Sequence, residues 1–277
     1  MDGSVSELRV AALRLGPELG ALAANRQATV AAIARAAEEG ARLVVLPELV
    51  ISGYCFADVA EARACAEPVP GPSTAAWQEA AEQHGIVVVG GICESDGQGR
   101  LWNTAVVVDA GGVRARYRKL HLWGREPELF SRGEERPPVV ETAVGRIGVG
   151  ICYDLWFPEL ARDLARRGAE LLAVPSNFSR SPAQPGLPHL DVVVAIATAH
   201  VNRVHLVLAD RCRTERGAEW LGAALVVDAD GTLLAGPPPG DEDAMALADV
   251  DPARARDKSF DGLNDLLGDR RDDLYGH

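Results

Sequence analysis

Along the chain the apolar positions switch repeatedly between two periods. Short, nearly continuous apolar runs at L-R-V-A-A-L-R-L (8–15), A-R-L-V-V-L-P-E (41–48), I-V-V-V-G-G-I (86–92) and L-L-A-V-P (171–175) have the length and flanking turn residues of buried strands. Between them, 25–40 and 73–85 carry apolar residues at helical spacing and end on Gly40 and Gly85, which suit a helix C-terminus. Two more helices are expected over 158–168 and 190–202. Residues 101–119 read as a hairpin around D-A-G-G, and 138–152 as a second strand pair around V-G-R. Strands over 205–210, 222–235 and 244–250 close the pattern, and a charged tail from Asp251 is expected outside the core. No internal repeat or low-complexity linker interrupts the chain, so one α/β domain over 1–277 is expected, with 251–277 as its C-terminal tail. Alternating helices and strands, taken alone, suggest a doubly wound sheet covered by helices.

Composition narrows the partners. The 277 residues include 28 basic and 40 acidic side chains, for a formal charge of −12. Such a surface repels polyanions, and no basic patch is interleaved with aromatics, which argues against nucleic acid and for a small-molecule substrate. No apolar run approaches the roughly 18 residues a membrane span needs, which argues against a membrane partner. The N-terminal M-D-G-S-V-S-E-L-R-V lacks a basic segment followed by a long apolar one, so a cytoplasmic location is expected. Cys55, Cys65, Cys93, Cys152 and Cys212 are odd in number and show no C-x-x-C spacing, which fits reduced thiols. Without H-x-E, H-E-x-x-H, paired cysteines or a Gly-rich phosphate loop, neither a metal nor a cofactor is expected.

Three reactive residues share one context. Glu48 ends L-V-V-L-P-E, Lys119 ends R-A-R-Y-R-K and Cys152 ends R-I-G-V-G-I-C, each at or just past an expected strand. In α/β sheets the carboxyl ends of strands form the ligand crevice, so three strands can deliver a carboxylate, an ammonium and a thiol to one place. A thiol ionises near a pKa of roughly 8.5 and needs a neighbouring base or cation to attack at neutral pH. The carboxylate can take its proton, the ammonium can hold an oxyanion, and a helix following Cys152 adds free N–H groups. Each residue alone has a plainer reading: a core cysteine, a strand-end carboxylate, a solvated lysine. His121, two residues after Lys119, offers a thiol–imidazole alternative.

The segments L-P-E-L-V-I-S-G-Y (46–54), Y-R-K-L-H-L-W (117–123) and G-I-C-Y-D-L-W-F-P-E-L (150–160) resemble, in order, the three signature segments of the nitrilase superfamily of carbon–nitrogen hydrolases. The likeness extends to A-E-L-L-A-V-P-S-N (169–177), A-D-R-C-R-T-E-R-G (209–217) and N-D-L-L-G-D-R-R-D-D-L-Y-G (264–276). The resemblance implies a Glu–Lys–Cys triad at Glu48, Lys119 and Cys152, and makes His121 structural. It also implies a further glutamate after the lysine. Glu126 and Glu128 both qualify, and counting back from Gly133 selects Glu126, which would hold Lys119 and orient the substrate amide. Ser131-Arg132-Gly133 stands where the family commonly has Thr-Pro-Gly, and Asp210 where many members have Asn. The implied fold is a four-layer α-β-β-α sandwich, and the implied assembly a homodimer whose C-terminal tails cross the partner.

Residues after the nucleophile separate branches of that family. Enzymes acting on nitriles usually carry Cys-x-Glu-His, whereas this chain has C-Y-D-L-W-F-P-E, similar to the amidase and carbamoylase branches. The expected activity is hydrolysis of a small linear aliphatic amide, with an amino or guanidino tail favoured, through a thioester and with release of ammonia. The alternatives are an N-carbamoyl amine hydrolase, acyl transfer to an amine, or a non-catalytic ligand-binding member. Tyr153 (through its backbone N–H), Trp123, Trp156, Asn177 and Glu128 are the expected substrate-binding residues, with Asp191 a second candidate beside Glu128 for a cationic tail and the 179–190 loop a candidate wall.

Overall fold

In the computed structural model, residues 7–181 and 186–275 are described. Their elements run β1 (Leu8–Leu15), α1 (Leu22–Glu38), β2 (Leu43–Val45), α2 (Val59–Ala64), α3 (Pro72–His84), β3 (Val87–Ser95), β4 (Leu101–Asp109), β5 (Gly112–Arg118) and α4 (Glu126–Leu129). They continue with β6 (Val139–Thr142), β7 (Gly145–Val149), a 3-10 turn Cys152–Trp156, α5 (Pro158–Arg166), β8 (Leu171–Pro175), α6 (Leu190–Asn202) and β9 (His205–Arg211). A short hairpin, β10 (Thr214–Glu215) and β11 (Ala218–Glu219), precedes β12 (Leu225–Val227), β13 (Leu233–Ala235), β14 (Ala244–Val250), a second 3-10 turn Pro252–Arg256 and α7 (Asp272–Tyr275).

The strands form two layers. One is ordered β5-β4-β3-β2-β1-β14 and the other β6-β7-β8-β9-β12-β13, joined at a short parallel seam where Arg14 and Leu15 of β1 meet Asp210 and Arg211 of β9. Each layer has parallel strands at its centre, β1-β2-β3 in one and β7-β8-β9 in the other, with antiparallel strands outside. Alternation along the strands assigns the faces. Val10, Ala12, Val45, Val87, Val89 and Val107 join the core between the two layers. Their neighbours Ala11, Leu13, Val44, Val88 and Val106 pack against Ile33 of α1 and Trp77 of α3 on the outside. On the far side α5 and α6 cover the second layer through Leu160, Leu164, Ala195 and Ala199.

This is the α-β-β-α sandwich the resemblance implies, and not the single doubly wound sheet suggested by alternation alone. The reason is physical. Central parallel strands are buried on both faces in either architecture, so their apolar runs look the same in sequence.

The topology also decides where strand ends lie. β4 runs against β3, and β5 against β4, so β5 runs in the same sense as β2 and β3. The carboxyl ends of β2 and β5 therefore emerge at one edge of their layer. Close approach there requires glycine at 91. A Cβ on Gly91 would lie 2.5 Å from the Leu49 backbone nitrogen and 2.6 Å from the Glu48 Cα. Chain continuing past β2 thus presses directly onto β3, with Leu46 N–H donating to Val89 and Val50 N–H to Gly91.

Candidate active site

Beyond β2 the chain turns sharply, and Leu49 takes a left-handed φ of 46° directly after Glu48. Cys152 itself has a φ of 48° at the start of the 3-10 turn after β7. Left-handed backbone is costly for residues with a Cβ, about 1–3 kcal/mol each, and such strain persists where surrounding structure enforces it. Here Asp154 enforces it. Its buried carboxylate accepts hydrogen bonds from Ile151 N–H (2.9 Å), Tyr117 O–H (2.8 Å) and His121 N–H (3.2 Å), and contacts His121 Nδ1 at 2.7 Å. The His121 ring stacks on Phe157 at 3.6 Å. These contacts tie His121 to the floor of the turn through Asp154.

Lys119, one residue past β5, lies under the same edge. Its Nζ donates to Glu48 Oε1 at 2.6 Å and to Glu126 Oε1 at 2.9 Å, and all three side chains are buried. Glu126 opens α4, where a reciprocal pair fixes it: Glu126 N–H donates to the Trp123 carbonyl, and Trp123 N–H donates to Glu126 Oε2, each at 2.9 Å. Glu128, two residues on, lies outside this network. Its side chain is 61% exposed and paired with Arg125 on the surface. Between the two candidate glutamates, burial and contact with Lys119 separate Glu126 from Glu128.

Gly133 completes the support. Its N–H donates to the Lys119 carbonyl at 2.9 Å, and a Cβ there would lie 2.1 Å from the Arg118 oxygen. Ser131 N–H donates to the Leu101 carbonyl at 2.8 Å.

Two members of the network were absent from the sequence-derived site. Asn103 Nδ2 donates to Glu48 at 2.6 Å and to Glu126 at 3.2 Å, and Tyr54 O–H donates to Glu126 at 2.8 Å. A signal existed for the first: an asparagine inside the apolar run L-W-N-T-A-V-V-V must find polar partners once buried. Tyr54 stands in a quoted signature segment but carried no role.

Crowded charges perturb ionisation. Burial pushes Glu48 up to about 7, with Lys119 pulling it down and Glu126 pushing it further up. Burial opposes the charge on Lys119, but the facing carboxylates outweigh it and hold the ammonium protonated. The Cys152 thiol is raised well above its ordinary range by burial and then by Glu48, while Lys119 and a hydrogen bond from Asn177 N–H work the other way. The resting arrangement is therefore a neutral thiol beside a base that titrates near neutrality. Glu48 Oε2 and both polar atoms of the Asn177 side chain are buried without partners, as expected of groups set aside for a ligand.

The remaining expected residues lie around this centre. Tyr153 follows the nucleophile, and its ring meets Trp123 edge-on at 4.8 Å. Trp123 and Trp156 are 51% and 48% exposed. Trp156 Nε1 donates to Asp191 at 3.0 Å, and His189 Nδ1 contacts the other Asp191 oxygen at 3.0 Å, so each oxygen already has a partner. Of the 179–190 loop, residues 182–185 lie outside the described residues. Asp210 is buried. It fastens three backbone segments by accepting from Phe178, Arg211 and Ala223 N–H groups. A cavity of about 510 Å³ near Leu120, His121 and Phe157 includes none of the carboxylate network.

Comparison with known proteins gives the same picture. The sequence model of the carbon-nitrogen hydrolase family matches residues 9–259. A nitrilase of Pyrococcus abyssi is 34% identical over 97% of this chain and 99% of its own length. An (R)-stereoselective amidase of a Pseudomonas species is 31% identical over 93% and 91%. Among solved structures, an amidase of Nesterenkonia sp. AN1 matches with a TM-score of 0.80 at 27% identity, covering 99% of this chain and 97% of that one. That structure is a glutamate-to-glutamine variant carrying the acetamide moiety of fluoroacetamide covalently on its active-site cysteine.

Proposed function

This chain belongs to the carbon–nitrogen hydrolase family and acts on non-peptide C–N bonds, and from that premise we propose a cysteine-dependent amidase that cleaves a small linear amide through a thioester and releases ammonia. One observation carries the reading. A single buried ammonium, Lys119, bridges two carboxylates, and one of those, Glu48, titrates near neutrality next to a cysteine held in left-handed backbone.

Chemistry follows from those positions. Cys152 Sγ attacks the amide carbon as its proton passes to Glu48. The oxyanion forms against the Lys119 ammonium and the Tyr153 N–H, charge developing where a fixed cation already stands. The C–N bond breaks as Glu48 returns the proton to the departing nitrogen, leaving ammonia and the acyl thioester. Glu48 then takes a proton from water, the hydroxide adds to the thioester, and the thiolate leaves and recovers the proton. Glu126, with Asn103 and Tyr54, keeps Lys119 aimed at the reacting carbonyl and contacts the substrate amide. Asn177, with its unpartnered side-chain amide, and the Tyr153–Trp123 pair form the nearest walls.

A homodimer with contacts through the C-terminal tail belongs to the same proposal, supported by Leu263 standing 88% exposed there. Among the described residues no helix is long and apolar enough to cross a membrane.

The decisive experiment measures ammonia release from propanamide and butanamide by wild type and Cys152→Ala, together with the intact mass of Glu48→Gln after incubation with substrate. Turnover lost in Cys152→Ala, and an unchanged mass for Glu48→Gln, which lacks the base that acylation requires, are expected. Full turnover by Cys152→Ala would sink the assignment.

A further inference from the structure

Arg211 and Glu215 stand in A-D-R-C-R-T-E-R-G (209–217), a segment to which the proposed chemistry gives no part. Both are buried, Arg211 at the end of β9 and Glu215 in the β10–β11 hairpin. Glu215 Oε1 accepts two consecutive backbone N–H groups, from Tyr54 at 2.8 Å and Cys55 at 2.6 Å, and Oε2 accepts Arg211 Nη1. One carboxylate thereby fixes the peptide units on both sides of Tyr54. The chain before them is pressed from the other side. Gly53 has a φ of 85°, and a Cβ there would lie 2.7 Å from the Leu19 Cα and 2.9 Å from Glu215 Oε2.

The Tyr54 side chain is fixed in turn. Its ring meets that of Trp220 edge-on at 5.2 Å, and the Arg211 guanidinium lies 5.5 Å from the centre of the Trp220 ring. Clamped backbone and packed ring leave the phenol one direction, and its O–H donates to Glu126 Oε1 at 2.8 Å. That same oxygen accepts Lys119 Nζ at 2.9 Å. Burial, and then Glu126 and Glu48, raise the phenol well above its ordinary range, so it stays a donor. A continuous line of contacts therefore runs from Arg211 through Glu215, Tyr54 and Glu126 to Lys119. Charge explains why the line begins at an arginine. A carboxylate taken from water costs several kcal/mol, and Arg211 offsets that cost for Glu215. Arg211 Nε and Nη2 are buried without partners among the described residues, so its bond to Glu215 carries the burden of holding the guanidinium.

We infer that Glu215, held by Arg211, is a positioning residue for the catalytic lysine: it sets Tyr54 so that the phenol O–H holds Glu126 against Lys119. The inference rests on the amidase reading and extends the machinery from the residues that bond Lys119 to the β10–β11 hairpin.

The test compares wild type, Tyr54→Phe, Glu215→Gln and the double variant on propanamide and butanamide, with Tm measured for each. Tyr54→Phe keeps the ring and loses the hydrogen bond, and Glu215→Gln loses the charge facing Arg211. Each single variant should lower kcat about tenfold or more and keep KM within about threefold, because the lysine is misplaced against a carbonyl that still binds. The two effects should not add. In the Tyr54→Phe background, Glu215→Gln should lower kcat by no more than about twofold further. Glu67→Gln controls for general softening of the fold. Glu67 is also buried, pairs with Arg26, accepts Ser73 N–H at 2.9 Å and bonds none of the five residues in the line. Its loss should lower Tm and leave kcat within about twofold. If Glu215→Gln does not fold, Glu215→Asp replaces it in the cycle with the same expectations, since it keeps the charge but is one methylene short of the two N–H groups. An equal loss of kcat from Glu215→Gln with and without the Tyr54 hydroxyl overturns the inference. Unchanged kcat in Glu215→Gln, a rise in KM alone, or an equal loss of kcat in Glu67→Gln overturns it as well. A wild type inactive on both amides sinks the amidase reading instead. The cycle is then read in the rate of Cys152 alkylation by iodoacetamide, a thiol reactivity that Lys119 and Glu48 also set, and independent effects there still overturn the clamp.

Discussion

Lys119 Nζ lies 2.6 Å from Glu48 Oε1, with neither side chain exposing any surface. Two opposite charges this close attract by about 6 kcal/mol at an effective dielectric of about 20, and taking each from water costs several kcal/mol. The pair alone is near break-even. Glu126, 2.9 Å from the same ammonium, adds a second carboxylate. Burial pushes Glu48 up to about 7 against the pull of Lys119, with Glu126 adding to the push, and the two carboxylates together keep the lysine protonated.

A pH profile follows from that value. Glu48 accepts the thiol proton only as a carboxylate, so kcat/KM for an amide should climb as pH rises through about 7 and level above it. Glu126→Gln removes the neighbouring negative charge and should move the rise to lower pH, even with turnover much reduced. The rate of Cys152 alkylation against pH reads the same group without requiring turnover. A rise centred near the ordinary glutamate value in wild type, or an upward move in Glu126→Gln, would count against this assignment of roles.

Removal of the cation should be costly. Lys119→Met leaves Glu48 and Glu126 facing one another without compensation in a fully buried site. Breaking a buried pair in this way typically costs about 3–5 kcal/mol. A marked fall in the urea midpoint is expected, with amide turnover abolished. The double variant Lys119→Met, Glu126→Gln removes one of the opposed carboxylates and should regain part of the stability with no activity. Equal stability of single and double variants would show that the carboxylates are not in conflict.

Much of this arrangement was legible in the chain, and the parts that were not share one cause. Glu48, Lys119 and Cys152 could be grouped because each stands at or just past an expected strand, and the resemblance to the nitrilase signature segments gave them their roles. Glu126 sits on a four-residue helix created by its own side chain bonding back to Trp123, and no periodicity announces so short an element. It was separated from Glu128 only by counting from a glycine, and by burial once the fold was known. Asn103 and Tyr54 reach the site from the middle of a strand and from a loop, so their membership depends on how two layers stack. The same stacking hid the sandwich behind an alternation typical of one sheet. Asp210 shows a different limit, since its role depends on which backbone groups the fold brings to it. It stands where many members of the family have Asn, and its oxygens face three backbone N–H groups.

Asp210 gives a stability prediction with a definite sign. Burial pushes its carboxyl from 3.8 to about 7, in spite of three N–H donors. A group raised on folding contributes stability fully present below its unfolded value and lost as pH rises through its folded value. Asp210→Asn cannot titrate, and its amide would point a donor at the Ala223 N–H that Asp210 accepts at 2.7 Å, a loss of about 1–3 kcal/mol. Wild type should therefore exceed Asp210→Asn in Tm most clearly below about pH 4, and the gap should narrow as pH rises from there to about 7 and then level. A gap that widens with pH would contradict the direction of the shift.

The last prediction concerns Asp191, whose two oxygens couple the nucleophile's turn to α6. Oδ1 accepts the Trp156 indole N–H at 3.0 Å, and Oδ2 lies 3.0 Å from His189 Nδ1. The Asp191 backbone N–H also approaches that Nδ1, at 3.4 Å, but one nitrogen cannot both carry a proton and accept one. The shorter contact to a carboxylate is the stronger, so Nδ1 carries the proton and Nε2 accepts from Ser181 O–H at 2.7 Å. Trp156 is thereby held in place, four residues after Cys152, by a chain of bonds that ends in the 179–190 loop. Trp156→Phe keeps an aromatic ring but loses the N–H, and Asp191→Asn weakens both ends of the link. Each should raise KM for an amide severalfold and leave kcat within about twofold, because the held side chain shapes binding and touches no transferred proton. Loss of kcat at constant KM in either variant would place Trp156 in the chemical step instead, and normal kinetics in both would leave the link without a role in binding.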